Sequence, residues 1–404
     1  MSTSDLKLLA LFFIIAAVII LRVTVESTGY RDPDSNAFLE VSQNILDGKG
    51  FYHSKTLPIP EIKTLENQTY FAIWPLGYPI LISGFAYLLS LPVFWASKVV
   101  NIFFLGLCLL LFRKMNREYA YLLTLIMCSF TFMEIFSYTW SEPPFIFCLL
   151  WFVYLLYNFM QDENNNKYLI LLFISSLLLF FIRYIGGFSF IILGLLSTWF
   201  LLKKRFKPAL KLLSITILLS TIAGLYLYNN YIQTGYLTGG ERFFPDREST
   251  SLFVYYLFVG LFNELFVIRN YYWGNSNPDL LFWVTAIFQF SIMIFIYLRF
   301  IKRELTKISS EDNLSILFGI IGFIYLFVLI LLRKYSPFDP FDYRLLSPFS
   351  ICIYTALMLF LINPVRSTTI NKSYKFIILF FFSSLILNLP KVYLFEVFRS
   401  LIQN

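Results

Sequence analysis

Charge is scarce in this sequence. Only 14% of its 404 residues are Asp, Glu, Lys or Arg, against about 25% in an ordinary soluble domain. Histidine is nearly missing, with His53 alone, and the four cysteines (Cys108, Cys128, Cys148, Cys352) all fall inside apolar runs. Such cysteines offer neither metal-ligand spacing nor a loop disulfide framework, so they read as packing residues. There is no Gly-rich phosphate loop ending in Lys-Ser/Thr, no HExxH pair and no nucleophile elbow. Heptads and internal repeats are also lacking, and the missing repeat weighs against a transporter built from inverted halves.

What the sequence has instead is apolar surface. The apolar share is 58%, 48 residues are Phe, and the mean hydropathy is +0.70. No water-soluble core consumes that much, so the chain is read as a polytopic membrane protein. This excludes a soluble enzyme, a nucleic-acid reader and a disordered scaffold. The net charge of +8 then concerns topology rather than polyanionic partners.

Runs near 7–25, 94–112, 119–137, 143–160, 168–185, 187–202, 209–228, 279–298, 314–332, 344–362 and 375–390 are each apolar enough to span. Two further runs fit poorly. Residues 76–91 are short and contain Pro79, and residues 251–268 carry Asn263 and Glu264. Counting either alone as a span inverts later loops, so both are read as helices lying in the outer interface. With the N-terminus inside, the clusters around Arg113–Arg117, Lys203–Lys211, Arg299–Lys307 and Arg366–Lys375 then share the cytoplasmic side, as the positive-inside rule requires. The first run has no net positive start and no convincing cleavage site, which predicts an uncleaved first span.

The expected fold is therefore an all-α polytopic membrane protein of about eleven transmembrane helices. It forms a single integral-membrane domain over 1–404, with interfacial helices in two outer loops, 26–93 and 229–278. The expected place is the cell membrane, with any chemistry facing outward, because most acidic residues lie on that side.

Few residues on the outer side carry chemistry. Asp32 and Asp34 follow the first span. After Pro33 the apolar residues Ala37, Phe38, Val41, Ile45 and Leu46 recur at helical spacing until Gly48 and Gly50. The plain role for Asp34 is a cap or first-turn acid; the sharper one is a base at a helix start beside the headgroups. Glu142, preceded by Ser-Tyr-Thr-Trp-Ser and followed by Pro143-Pro144, stands at the lip of the fourth span. Arg183-Tyr184 closes the fifth, where an Arg can simply snorkel. Tyr343-Arg344 opens a late span within a charged stretch. Asp342 beside it is expected to hold Arg344 in part, leaving it able to reach a phosphate. Ionisable groups at membrane depth are functional candidates by default. His53, a lone loop histidine, reads as a bystander.

The order of these pieces resembles the integral-membrane GT-C glycosyltransferases, in particular bacterial members related to protein O-mannosyltransferases and lipid A aminoarabinose transferase. The residues carrying the resemblance are Asp34 with Phe38, the Asn44–Gly50 helix end, Trp74-Pro-Leu-Gly-Tyr-Pro79, Ser141-Glu142, Arg183-Tyr184 and Tyr343-Arg344-Leu-Leu-Ser-Pro348. It covers residues 1 to about 205, and 340–350 again. Members often carry Asp-Glu or Asp-Asp where this chain has Asp34-Ser35, so the register of the base stays open between Asp34 and Asp32.

The resemblance implies an inverting transfer of a sugar from a polyprenyl-phosphate-linked donor to an acceptor hydroxyl on a protein, lipid or glycan. Asp34 (or Asp32) is implied as base, Glu142 as acceptor-positioning or cation-holding, and Arg183, Tyr184, Tyr343 and Arg344 as substrate and phosphate contacts. No cofactor is required, and Mg²⁺ or Mn²⁺ is left open. A flippase or transporter, a polymerase or ligase of lipid-linked saccharides, and a non-catalytic assembly factor are the rival readings.

Overall fold

The computed structural model describes residues 2–54, 68–239, 248–269, 280–302, 304, 312–335, 340–390 and 399. Two helices begin the chain. Helix α1 (Thr3–Val25) starts in a capping box, Ser2 accepting from Asp5 and Asp5 accepting from Ser2 in return. Helix α2 (Pro33–Leu46) follows, with Asp32 as N-cap and Pro33 in its first turn, the position where a missing N–H costs nothing. Two three-residue strands, β1 (Tyr52–Ser54) and β2 (Gln68–Tyr70), then pair antiparallel. This short hairpin is an element the sequence reading did not anticipate beside the expected helices; β1 hangs on α2 because Glu40 accepts from the Ser54 amide at 2.8 Å.

Next come α3 (Gly77–Leu89), α4 (Val93–Met115), α5 (Ala120–Thr124) and α6 (Phe130–Ser137). They are followed by α7 (Glu142–Gln161), α8 (Asn166–Ile182), α9 (Phe188–Leu202) and α10 (Phe206–Thr234). The last are α11 (Thr250–Glu264), α12 (Leu280–Ile296), α13 (Asn313–Tyr335), α14 (Tyr343–Leu361) and α15 (Ser367–Leu387).

Among the described residues, 9 helices are long and apolar enough to cross a bilayer, or up to 10 if the bent pair α5–α6 is one span. The expected count of about eleven differs for two reasons. The run 119–137 breaks by 73° between a 3₁₀ turn ending at Cys128 and α6. Helix α8 is apolar but has 17 residues, just under the ~20 a span needs. At the break, the Phe130 amide donates to the Val267 carbonyl at 2.9 Å. A backbone group freed inside a membrane protein must be satisfied in this way. The two runs set aside as non-spanning are helices of 13 and 15 residues, α3 and α11.

Buried Leu, Phe and Ile from α1, α4–α9 and α13–α15 form one continuous core. A second cluster joins α2, α3 and the start of α4 through Phe38, Phe71, Tyr78 and Val100. Helix α10 adds Leu212 and Leu219 to the first cluster, α12 packs Phe282 and Ala286 in a small separate one, and both present Leu218, Leu225, Ile287 and Ile294 outward, as hydrocarbon-facing helices do. Close approach is enforced at Gly260 of α11, where a Cβ would lie 2.3 Å from the Phe341 carbonyl oxygen. Any side chain there pushes α11 off the stretch that leads into α14.

Candidate functional site

Four helix ends meet at one point. Asp32 and Asp34 stand at the start of α2, behind a turn made by Gly29 (φ 62°) and Tyr30 (φ 55°). Glu142 opens α7, with prolines filling the next two positions. Arg183 is the C-cap of α8, and Arg344 is the second residue of α14. The helix dipoles favour the acids at the starts of α2 and α7 and the cation at the end of α8. Arg344 sits at a helix start, where the dipole disfavours a cation, so its carboxylate partners must hold it.

They do so from both sides. Arg344 donates through Nε to Glu142 Oε1 at 2.6 Å and through Nη1 to Asp34 Oδ2 at 2.6 Å, with Asp32 Oδ2 at 4.0 Å. Arg183 pairs with the same Glu142 Oε1. The second Glu142 oxygen, Oε2, is buried and has no hydrogen-bond partner among the described residues. Glu142 itself is fully buried, so a carboxylate there is tolerable only because two guanidinium groups flank it. The adjacent Asp342 does not take Arg344 as its cap contact, contrary to expectation. Its carboxylate accepts from the Leu345 amide at 2.9 Å as the N-cap of α14, a local bond that leaves the guanidinium to longer-range partners.

The two aspartates divide their work. Asp32 is occupied on both oxygens, Oδ1 by the Ser35 amide at 2.7 Å and Oδ2 by Trp140 Nε1 at 2.7 Å. Asp34 turns toward Arg344. The indole of Trp140 also lies under the Arg344 guanidinium at 4.7 Å, a cation–π contact. Tyr138 stacks on that indole at 4.1 Å and 7°. Burial first, and Glu134 second, push the Tyr138 phenol up to about 12, so it is a neutral platform at ordinary pH. Trp140 was present in the sequence as the aromatic just before Glu142, but only the fold shows that it joins Asp32 to Arg344.

The two candidate tyrosines sit at the margin of this cluster. Tyr343 packs near Trp140 (6.2 Å) and edge-on to Phe130 (5.8 Å). Tyr184 donates to the Ala72 carbonyl at 2.8 Å and accepts from Asn230 at 2.9 Å, tying the stretch 71–76 to α10. A second buried pair that sequence reasoning did not single out, Arg22 with Glu134, joins α1 to α6. His53 is buried against Phe71 at 5.3 Å. The glycine-rich stretch 234–244, by its sequence a candidate lid or acceptor groove, lies in part outside the described residues, as does Asn67 of the Asn67-Gln-Thr69 sequon.

Among the described residues, no group of three or more His, Cys, Asp or Glu side chains could hold a metal ion. Asp34 and Glu142 are both engaged by Arg344, with Asp32 Oδ2 at 4.0 Å from it.

Fold and site define a multi-pass α-helical membrane protein with a buried acid–guanidinium network at one end of its bundle. No protein-family model matches the sequence, and no curated protein does. Two solved structures are similar over most of this chain. The Archaeoglobus fulgidus oligosaccharyltransferase, solved with a tethered acceptor peptide containing the NVT sequon, matches at TM-score 0.47 and 13% identity, over 94% of this chain and 54% of its own. ArnT from Cupriavidus metallidurans, in the apo state, matches at TM-score 0.42 and 10% identity, over 93% and 77%. Both are GT-C membrane glycosyltransferases. The chain spans about half the length of the oligosaccharyltransferase. At this level of likeness, chemistry has to be read from the side chains.

Proposed function

We propose that the chain is a membrane glycosyltransferase that moves a sugar from a polyprenyl-phosphate-linked donor to an acceptor hydroxyl on the non-cytoplasmic face of the membrane. One observation carries this reading. Asp34, Glu142, Arg183 and Arg344, drawn from four distant segments, converge at helix ends rather than along the middle of a span. Charges at the lip suit chemistry on a headgroup-level phosphate, whereas passage across the bilayer calls for them near the midplane.

Asp34 is the base in this reading, because Asp32 is spent on its cap and on Trp140. The acceptor O–H gives its proton to the Asp34 carboxylate, the acceptor oxygen bonds to the anomeric carbon, and the bond from that carbon to the phosphate oxygen breaks. Attack opposite to the departing phosphate inverts the centre. The leaving polyprenyl phosphate carries away the electron pair, and Arg344 and Arg183 stabilise its developing charge. The buried Oε2 of Glu142, without a partner among the described residues, is an acceptor for a substrate hydroxyl.

The resting geometry also sets an order. Arg344 neutralises Asp34 while no phosphate is present. A donor phosphate competes for that guanidinium, and a bidentate Arg–phosphate pair is a strong competitor. Donor binding therefore releases the base before the acceptor is used. The N-terminus is cytoplasmic and the network faces outward in this reading, as the distribution of Lys and Arg supports.

The test is a transfer assay on purified protein, wild type beside Asp34→Asn. It uses radiolabelled sugar on a mixed polyprenyl-phosphate pool and envelope extract as acceptor. Label leaving the lipid with wild type only, while both proteins bind donor, supports the reading, and the labelled product identifies the acceptor. Equal translocation of intact donor by both proteins, with no transfer by either, replaces it with lipid-linked saccharide transport.

A further inference from the structure

Helix α4 opens with the polar residues Ser97, Lys98 and Asn101 on one face, all of them buried (0%, 2% and 0% exposed). All three address the stretch that ends α6. Asn101 Nδ2 donates to the carbonyls of Phe136 at 3.2 Å and Tyr138 at 2.7 Å. Lys98 Nζ donates to the Ser137 carbonyl at 2.8 Å, and the hydroxyls of Ser97 and Thr139 share a hydrogen bond at 2.8 Å. These carbonyls are the ones that a helix C-terminus leaves without partners, and a cation there also meets the negative end of the dipole.

Capping alone does not call for a buried ammonium, since Asn101 does the same work without charge. Lys98 pairs with no carboxylate among the described residues; its two acceptors are both backbone carbonyls. The second is Tyr30, at 3.3 Å, two residues before Asp32, and the Thr139 amide donates to the same oxygen at 3.3 Å. One side chain thus clips the turn carrying Asp32 and Asp34 to the stretch carrying Trp140 and Glu142. The clip closes where Trp140 donates to Asp32 at 2.7 Å. A lysine suits this place because its ammonium has several donors on a long stem and can serve two carbonyls at once.

We propose that Lys98 is a positioning residue: it holds the start of α2 and the start of α7 in the register that lets Asp34 and Glu142 share Arg344. It touches no substrate. Its effect on turnover rests on the glycosyltransferase reading, but its effect on the Trp140–Asp32 contact does not.

The experiment uses the full chain in nanodiscs, with 5-fluorotryptophan in place of its seven tryptophans. The Trp140 ¹⁹F resonance is assigned from Trp140→Phe. Lys98→Met, which keeps the stem and removes the donors, is expected to shift and broaden that resonance and to leave those of Trp199 and Trp283 in place. Lys98→Arg is expected to return it toward the wild-type position. In the transfer assay, Lys98→Met should lower kcat about 100-fold, the scale of a 1 Å misplacement. The donor KM should stay within about threefold, and Lys98→Arg should recover at least about tenfold of the loss.

A wild-type Trp140 resonance in folded Lys98→Met overturns the proposal. Should that variant not fold, Lys98→Gln, which keeps one donor group, is read by the same criterion. Failure of both to fold, with Lys98→Arg folded, assigns Lys98 to the fold alone and also overturns it. Absence of transfer in wild type removes the glycosyltransferase reading and leaves the ¹⁹F result to decide the role of Lys98.

Discussion

Arg344 and Glu142 meet through Nε and Oε1 at 2.6 Å although 202 residues separate them. The glutamate is fully buried, the arginine side chain is 12% exposed, and the same guanidinium reaches Asp34 at 2.6 Å. One residue therefore joins the starts of α2, α7 and α14.

Removing that junction should cost both stability and turnover. Arg344→Ala leaves Glu142 with Arg183 alone, and breaking a buried pair typically costs about 3–5 kcal/mol. Arg344→Lys keeps the charge but cannot reach two carboxylates in a fixed fork. The lysine variant should melt within a few degrees of wild type in nanodiscs while transfer falls about 100-fold, the scale of a misplaced catalytic group. Equal melting temperature and equal transfer for all three proteins would contradict the network as described.

The two aspartates should separate. Asp34→Asn is expected to lower kcat by about 10²–10⁴-fold, the usual worth of a positioned base, without weakening donor binding. Asp32→Asn keeps a capping side chain but weakens the bond to Trp140. Asp32→Ala loses the cap as well, at about 1 kcal/mol. Donor-binding and single-turnover assays on the three variants check this; a larger chemical defect in Asp32→Asn than in Asp34→Asn would exchange the roles.

His53 should make the β1–β2 hairpin acid-sensitive. It is 2% exposed, and neither ring nitrogen has a hydrogen-bond partner among the described residues. Burial holds its pKa below the ordinary value, and the nearby Glu40 opposes this only in part. The unfolded state therefore binds the proton more readily than the folded state. The stability that depends on neutral His53 is fully present above about pH 6.5 and is lost as pH falls below that value. Melting curves between about pH 5 and 8 should show this decline, and His53→Phe should flatten it. An identical decline in His53→Phe would place the sensitivity elsewhere.

Topology can be checked without any substrate. The four native cysteines are all buried, so a cysteine-free chain is a reasonable background. Lys49 is exposed just after α2, with 59% of its side chain accessible, and Lys204 is exposed in the turn after α9. Lys49→Cys should react with an impermeant maleimide on intact cells, and Lys204→Cys only after permeabilisation. The reverse pattern would invert the proposed orientation.

Much of this protein was legible in its sequence because the relevant forces are local or compositional. Low charge and long apolar runs require helices whose backbone groups are satisfied within the segment. Pro33, the apolar spacing after it and Gly48 delimit α2 from neighbouring residues alone. The scarcity of charge also made the few outer-lip residues conspicuous, and Asp32, Asp34, Glu142, Arg183 and Arg344 do come together.

The tertiary structure decided which of them are partners. Asp342 is Arg344's near neighbour in sequence, yet its carboxylate caps α14, since a backbone amide three residues away is always within reach. Arg344 meets Asp34 across 310 residues and Glu142 across 202, distances over which sequence spacing carries no geometric information. The bend at residues 128–130 is hidden in an apolar run, because it depends on the Phe130 amide finding Val267. In the sequence Lys98 is a single charge near the start of an apolar run. Only the packed bundle shows that it holds two backbone segments at once, because what it binds is carbonyl groups, which every residue has and no sequence pattern marks.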